Sequence, residues 1–357
     1  DTGAPKDCDF GGYRRARISS QAIKRAMRRA FDQGELVPPD HRGTRTKRLT
    51  KALTDRLVAS RQDADAALTV ANNAIGALGL KFQNQGETAE DFKTQYLVYL
   101  GQEEIDRFTQ MCLEHWDELV SGKALSNATK KTLVGQLDGG KAADVALFGR
   151  MLADLPEKNI DAASQVAHAI STNKISAEFD FYTAIDDLKP EDTEGADMMG
   201  AVEFNSSCFY RYANVDLGQL ATNLGDDDLV EPTLEAFLRA SVAAIPTGKQ
   251  NSFAAQNPPS FVLAVVRDAG MWSLANAFVD PVRPGRDDDL ISNSVAKLDG
   301  YWGQLASVYG DDGVRGAWCI NLTDATPAAL GSAQVATFRE LVDNVLAAAR
   351  GNGGGAA

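Results

Sequence analysis

Apolar residues recur at Ile23, Ala26, Met27, Ala30 and Phe31, the i, i+3, i+4 spacing that gives a helix one buried face. Lys24, Arg25, Arg28 and Arg29 fall on the other side, and Ser19 or Ser20 suits the N-cap. The preceding RRARIS, residues 14–19, reads as extended, while DTGAPKDCDFGG at 1–12 has no period and reads as loop. VPPDHRG (37–43) is a linker by its prolines and glycine. From about residue 44 to 170 the apolar spacing predicts almost only helix, near 44–60, 63–79, 88–100, 102–121, 140–153 and 160–170.

After residue 173 the period changes. Residues 175–187 alternate as a strand does, 188–203 reads as a loop, and 207–214 is a second strand. A helix at 228–245, a strand at 260–267, a helix at 288–309, a strand at 314–321 and a helix at 327–349 follow, then a flexible tail at 351–357. Helix, two strands, helix and strand are the last five elements of a βαββαβ ferredoxin-like unit. The fold class is therefore α+β, with the first strand expected upstream of residue 1 and a long helical insertion after the basic helix.

At roughly 100–200 residues per domain, 357 residues make two or three domains. Hydrophobic residues at 44% and charged residues at 24% exclude wholesale disorder. No stretch approaches the roughly 20 apolar residues of a membrane span, and no apolar signal segment opens the chain, so no membrane partner is expected. Cys8, Cys112, Cys208 and Cys319 form no Cys-x-x-Cys pair, which argues against a disulfide scaffold or zinc ribbon and fits a reducing cytoplasm.

The chain carries 36 Lys+Arg against 49 Asp+Glu, net −13, which taken whole speaks against a nucleic-acid partner. Its distribution changes that. Residues 1–60 hold 14 Lys/Arg and 7 Asp/Glu, a net +7, and the remainder carries −20. Screening confines each phosphate to charges within about 8–10 Å, so a basic site on an acidic body still binds a polyanion.

Enzyme signatures are mostly excluded. TGKQ (247–250) resembles the end of a phosphate-binding loop, but Ala243 stands where its first glycine belongs and Gln250 where Ser or Thr belongs. Cys112 and His115 lie one helical turn apart, yet no second pair completes a tetrahedral metal set; both read as ordinary helix residues. The acidic runs 226–228, 287–289 and 311–312 read as caps and solvated turns. No catalytic residue, metal or cofactor is expected.

The basic helix differs. Residues 13–31 contain seven cations and no acid. A phosphodiester chain is held by cations, backbone amides and hydroxyls, and helix N-termini attract phosphate. Arg14, Arg15 and Arg17 precede the helix, Ser19, Ser20 and Gln21 open it, and Lys24, Arg25 and Arg28 continue it. A basic face is most often merely solvated, but this density of cations in an acidic chain argues against chance and for a phosphodiester chain as ligand. GKQNSF (248–253) adds Lys249 and Gln250, though alone it reads equally well as a turn.

RRARISSQAIKRAMRR resembles the backbone subunit of the type I-E CRISPR surveillance complex Cascade, the CasC family. VALFGRM (145–151), VAHAISTNKISAEFDFYTAIDDL (166–188), GAVEFNSSCFYRYANVDLGQL (200–220) and GKQNSFAAQNP (248–258) are similar to family segments in family order. The resemblance implies a hand: a ferredoxin-like (RRM-like) palm at 1–37 and 171–350, helical fingers at 38–170, and a β-hairpin thumb at about 180–206. It further implies a non-catalytic, cytoplasmic, antiviral role. Copies polymerise head to tail along one CRISPR RNA among other Cascade subunits, displace every sixth base and present the rest to target DNA.

Carried over, the RNA-backbone contacts are Ser19, Gln21, Lys24, Arg25, Arg28, Lys249 and Gln250. Met151 would wedge near the kink, and Phe181 with Tyr182 would support base displacement. A wedge must be apolar and able to stack, because unstacking costs a few kcal/mol; core packing is the competing reading of Phe181. The competing reading is a backbone subunit with target-RNA endoribonuclease activity, as in the type III complexes, for which Asp9, Asp186 and Asp187 could be nominated without a motif. A stand-alone RNA-recognition module ranks last, since its aromatic consensus is missing.

Overall fold

The computed structural model describes residues 4–60, 62–122, 126–176, 178–184, 198–286 and 288–350. The chain divides into two compact units. One comprises Asp1–Met27, Val166–Asn214 and Leu238–Ala357; the other comprises Arg28–Gln165 and Val215–Phe237.

In the first unit, strand β1 (Asp7–Phe10) and strand β2 (Tyr13–Ile18) form a tight hairpin with Asp9 opposite Arg14. Its turn uses Gly11 at φ +61°, and a Cβ there would sit 2.2 Å from the Val279 carbonyl oxygen, so only glycine fits. Residues 1–12, expected to be loop, thus contain a strand. Four residues are too few to show a period, and it is pairing with β2 that makes the segment extended. Strands Ala169–Ser171 and Phe209–Tyr210 extend this hairpin into a four-stranded antiparallel sheet.

A second, two-stranded sheet pairs Phe261–Arg267 with Val314–Asn321. Leu341 and Val345 of helix Phe338–Arg350 bury against one side of it, with Val262, Ala264, Trp318 and Ile320. The core around Phe278, Leu298, Trp302 and Cys319 takes Leu263, Val265 and Ala317 from the same strands. The helix expected at 327–349 begins only at Phe338, after a 3-10 turn at Gly331–Ala333. Ala328, Ala329 and Leu330 donate their N–H groups to Asp299 instead, which holds that stretch out of helix.

Helix α1 (Ser20–Gln33) follows β2. Ile23, Ala26, Met27 and Phe31 are buried, as the spacing requires.

The second unit has a core of Leu49, Leu53, Leu57, Val70, Ile75, Ile105, Phe108 and Leu133, drawn from helices Leu49–Ala59, Ala64–Ala77, Gln102–Glu114 and Asn127–Gly135. It is not all helix. Gly43–Thr46 pairs with Val98–Gly101, and Phe82–Asn84 with Lys93–Thr94. The helix expected at 88–100 is instead turns and two short strands, and the one expected at 160–170 contains the strand Ser164–Val166 and, in the first unit, the start of Ala169–Ser171. Short apolar runs carry no decisive period, and partners far away in sequence settle them.

Among the described residues no helix is long and apolar enough to cross a membrane. The tail 351–357 lies outside them.

Candidate nucleic-acid interface

Strand β2 delivers its arginines to different surroundings. Arg14 is exposed and pairs with Asp7 at 2.7 Å and Asp9 at 3.7 Å. Pairs this open to water contribute little, so Arg14 remains available to a phosphate. Arg15 is fully buried. Its Nη1 donates to the carbonyls of Ser171 (3.0 Å) and Thr172 (2.7 Å), and its Nη2 to those of Phe278 (2.6 Å) and Val279 (3.1 Å). Burial pulls its pKa below the ordinary arginine value. Arg15 pins the sheet to the segment at 278–279 and leaves the candidate set. Charge counting cannot see this, because its partners lie over 150 residues away.

Arg17 donates from Nε to the Asp7 carbonyl at 3.2 Å, and its Nη1 lies 3.1 Å from Nδ1 of His168. Ser19 is buried, and its Oγ accepts from the Ala22 N–H at 3.4 Å, which makes it the N-cap of α1. It therefore organises the helix start. Gln21, Lys24 and Arg25 then follow at i, i+3 and i+4 on one side of α1, with Gln21 and Arg25 exposed.

Arg28, at i+7, belongs to the second unit and is committed there. Its Nε donates to Asp144 at 2.8 Å, its Nη2 to the Gly43 carbonyl at 3.0 Å, and its guanidinium lies 4.6 Å from the Tyr99 ring centre. These contacts lie within that unit and make it a poor candidate for RNA.

Lys249 sits at φ +58°, a left-handed conformation that costs an ordinary side chain on the order of 1 kcal/mol and often marks functional loops. It is exposed and opens the helical turn Gln250–Phe253. Gln250 is engaged locally, with its Nε2 on the Pro246 carbonyl at 3.1 Å. Phe253 stacks on Phe204 with ring centres 5.1 Å apart, which ties this loop to the hairpin of Glu178–Ala184 and Met198–Phe204.

In that hairpin Phe181 faces Ala201 and Tyr182 faces Gly200. Adjacent strand residues point to opposite faces, so the expected aromatic pair is split. Phe181 is 81% exposed and shares its face with Phe179 and Met199, which rules out core packing for it here. Tyr182 lies over Gly200. Part of the stretch expected as loop, 198–203, is strand; the rest of it, with Asp186 and Asp187, lies outside the described residues.

Met151, in the second unit, is 79% exposed at the end of VALFGRM. The residue before it, Arg150, is buried and donates from Nη1 to both carboxylate oxygens of Glu104 at 2.7 and 2.9 Å. Glu104 also accepts the backbone N–H groups of Gly101 and Gly139, each at 2.7 Å. This buried pair holds the backbone from which Met151 protrudes. Sequence reading missed it, since nothing local links residues 46 positions apart.

Among the described residues no cluster of three or more His, Cys, Asp or Glu could hold a metal ion. Asp226 and Asp289 accept backbone N–H groups at the starts of helical turns. Asp9 lies beside Arg14.

A comparison with curated proteins returned no match. Among solved structures, the chain resembles one titled "CRISPR RNA-guided surveillance complex, pre-nicking", with 32% identity and a TM-score of 0.85, over 98% of this chain and 95% of that one. A second, titled "CRISPR RNA-guided surveillance complex", has 27% identity and a TM-score of 0.72, over 98% and 94%. The family model described as CT1975-like protein matches residues 1–344. On that match over nearly its whole length, the chain belongs to the CT1975-like family of Cas proteins.

Proposed function

We propose that this chain is a non-catalytic, guide-RNA-binding backbone subunit of a type I-E CRISPR Cascade complex. Copies line up head to tail along one CRISPR RNA. Each grips the sugar–phosphate strand with Arg14, Arg17, Gln21, Lys24, Arg25 and Lys249 on a ferredoxin-like palm. The hairpin of Glu178–Ala184 and Met198–Phe204 acts as the thumb, and Phe181 and Met151 are the apolar groups that substitute for stacking where every sixth base is displaced. The other bases remain free to pair with target DNA, so the protein needs backbone contacts and no base-reading specificity.

The observation that carries this reading is the stripe of Gln21, Lys24 and Arg25 along a capped helix, preceded by exposed Arg14, in a chain of net −13. The similar structures, both of RNA-guided surveillance complexes, point the same way. Purifying the chain with its partner subunits and extracting nucleic acid tests it. A discrete guide-length RNA is expected, and particles free of RNA would contradict the reading. With magnesium and complementary RNA, the particles should leave that RNA uncut.

A further inference from the structure

The first turn of α1 and strand β2 meet at a residue outside the basic motif. The Ser20 N–H, the first of the helix, donates to Nδ1 of His168 at 3.3 Å, and the Arg17 Nη1 lies 3.1 Å from the same nitrogen. A backbone amide and a guanidinium can only donate. Nδ1 is therefore an acceptor without a proton, and the neutral ring carries its hydrogen on Nε2.

We infer that His168 is a positioning residue for the RNA-backbone site: its Nδ1 gathers the Arg17 guanidinium and the start of α1 onto one acceptor, setting their remaining donors side by side for one phosphate. The inference rests on the RNA reading proposed above.

Arg17 is held at two points, by His168 and by the Asp7 carbonyl, which fixes the plane of its guanidinium. Five N–H donors on that group leave several beyond these two contacts. In the helix, Ala22 N–H takes the Ser19 Oγ and Ile23 N–H takes the Ser19 carbonyl. With Ser20 spent on His168, the Gln21 N–H is the one in this turn whose acceptor would be the ligand. A phosphate bound there meets a guanidinium and an amide already in place, and the cost of ordering a long arginine side chain has been met beforehand.

The charged groups around the ring set the direction of its pH response. Burial first, then Arg17 on β2 and Lys6 ahead of β1, push the His168 pKa below the usual imidazole value. The Asp7 carboxylate is engaged by Arg14, and Lys24 stands one turn along α1. Protonating Nδ1 would turn the acceptor into a donor facing two donors, beside the positive end of a helix. The arrangement is thus present when His168 is neutral and is lost as pH falls through its lowered pKa.

Asparagine separates this role from that of a ring, because its Oδ1 takes roughly the place of Nδ1, accepts, and cannot be protonated. Fluorescence anisotropy of a labelled single-stranded RNA with the full chain, from about pH 8 down to about pH 5, supplies the test. At neutral pH, His168→Ala should bind roughly tenfold more weakly, the loss of a hydrogen bond to a charged group. His168→Asn should stay within about twofold of wild type, and its affinity relative to wild type should rise as pH falls below about 6.5. If His168→Ala binds like wild type, if Asn is as poor as Ala, or if the Asn-to-wild-type ratio is flat with pH, the inference is overturned. Should the alanine variant fail to fold, the Asn ratio decides alone. Wild type that binds no RNA at any pH overturns the RNA reading and this inference together. Binding that is lost in Lys24→Glu/Arg25→Glu but indifferent to every His168 variant overturns this inference only.

Discussion

The ring of Tyr182 lies over Gly200 on the facing strand, so closely that a Cβ on Gly200 would sit 2.5 Å from the ring. An aromatic covering a cross-strand glycine stabilises a two-stranded ribbon that has little else to pack against. Its neighbour Phe181 does the reverse and stands out into solvent. One residue builds the hairpin, and the other is presented by it.

Hydrogen exchange over residues 178–184 and 198–204 should separate these roles. Tyr182→Ala and Gly200→Val should speed exchange across both strands, the second by forcing the ring aside. Phe181→Ala should leave exchange unchanged while weakening assembly on RNA. Equal loosening by Phe181→Ala would contradict the division.

The Glu104–Arg150 pair makes a prediction about stability. Both side chains are fully buried and each is satisfied only through the other and nearby backbone. Removing one partner strands a charge, at a cost of about 3–5 kcal/mol. Arg150→Met should therefore lower the melting temperature sharply in thermal denaturation. Glu104→Leu/Arg150→Met should recover part of that loss, because an apolar pair strands no charge. A single variant that melts like wild type would show the pair to be unimportant.

Cys112 predicts an alkaline limit. Burial among the apolar side chains of the second unit pushes its thiol up from 9.0 to about 12. The folded state keeps the proton and the unfolded state releases it, so this contribution is intact below about pH 9 and fades as pH rises towards 12. Denaturant titrations should show stability falling above about pH 9, less steeply in Cys112→Ala. Thiol reagents at neutral pH should modify Cys8 and Cys208 well before Cys112.

What could be seen in the sequence followed from local period. The stripe Ile23, Met27 and Phe31 announces α1 because burial of one helical face needs no distant partner. Strands 261–267 and 314–321 were visible for a similar reason, as short apolar runs between turn signals. The strands at 98–101 and 169–171 were not, because their partners at 43–46 and 17–18 decide their conformation. At the candidate site, the seven cations of residues 13–31 look alike in the sequence. Only the fold distinguishes Arg14 at the surface from Arg15 on four carbonyls and Arg28 on Asp144. The split of Phe181 from Tyr182 was legible in principle, since a strand alternates its faces.

On the proposed reading, α1 holds a phosphate chain through Lys24 and Arg25. Binding of single-stranded RNA measured across a salt series tests it most directly. Each lost phosphate contact should reduce the magnitude of the log K against log salt slope by about 0.7. Lys24→Glu/Arg25→Glu should therefore flatten the slope by about 1.4 and weaken binding, with the fold unchanged by circular dichroism. A double variant with the wild-type slope and affinity would show that the helix does not touch RNA.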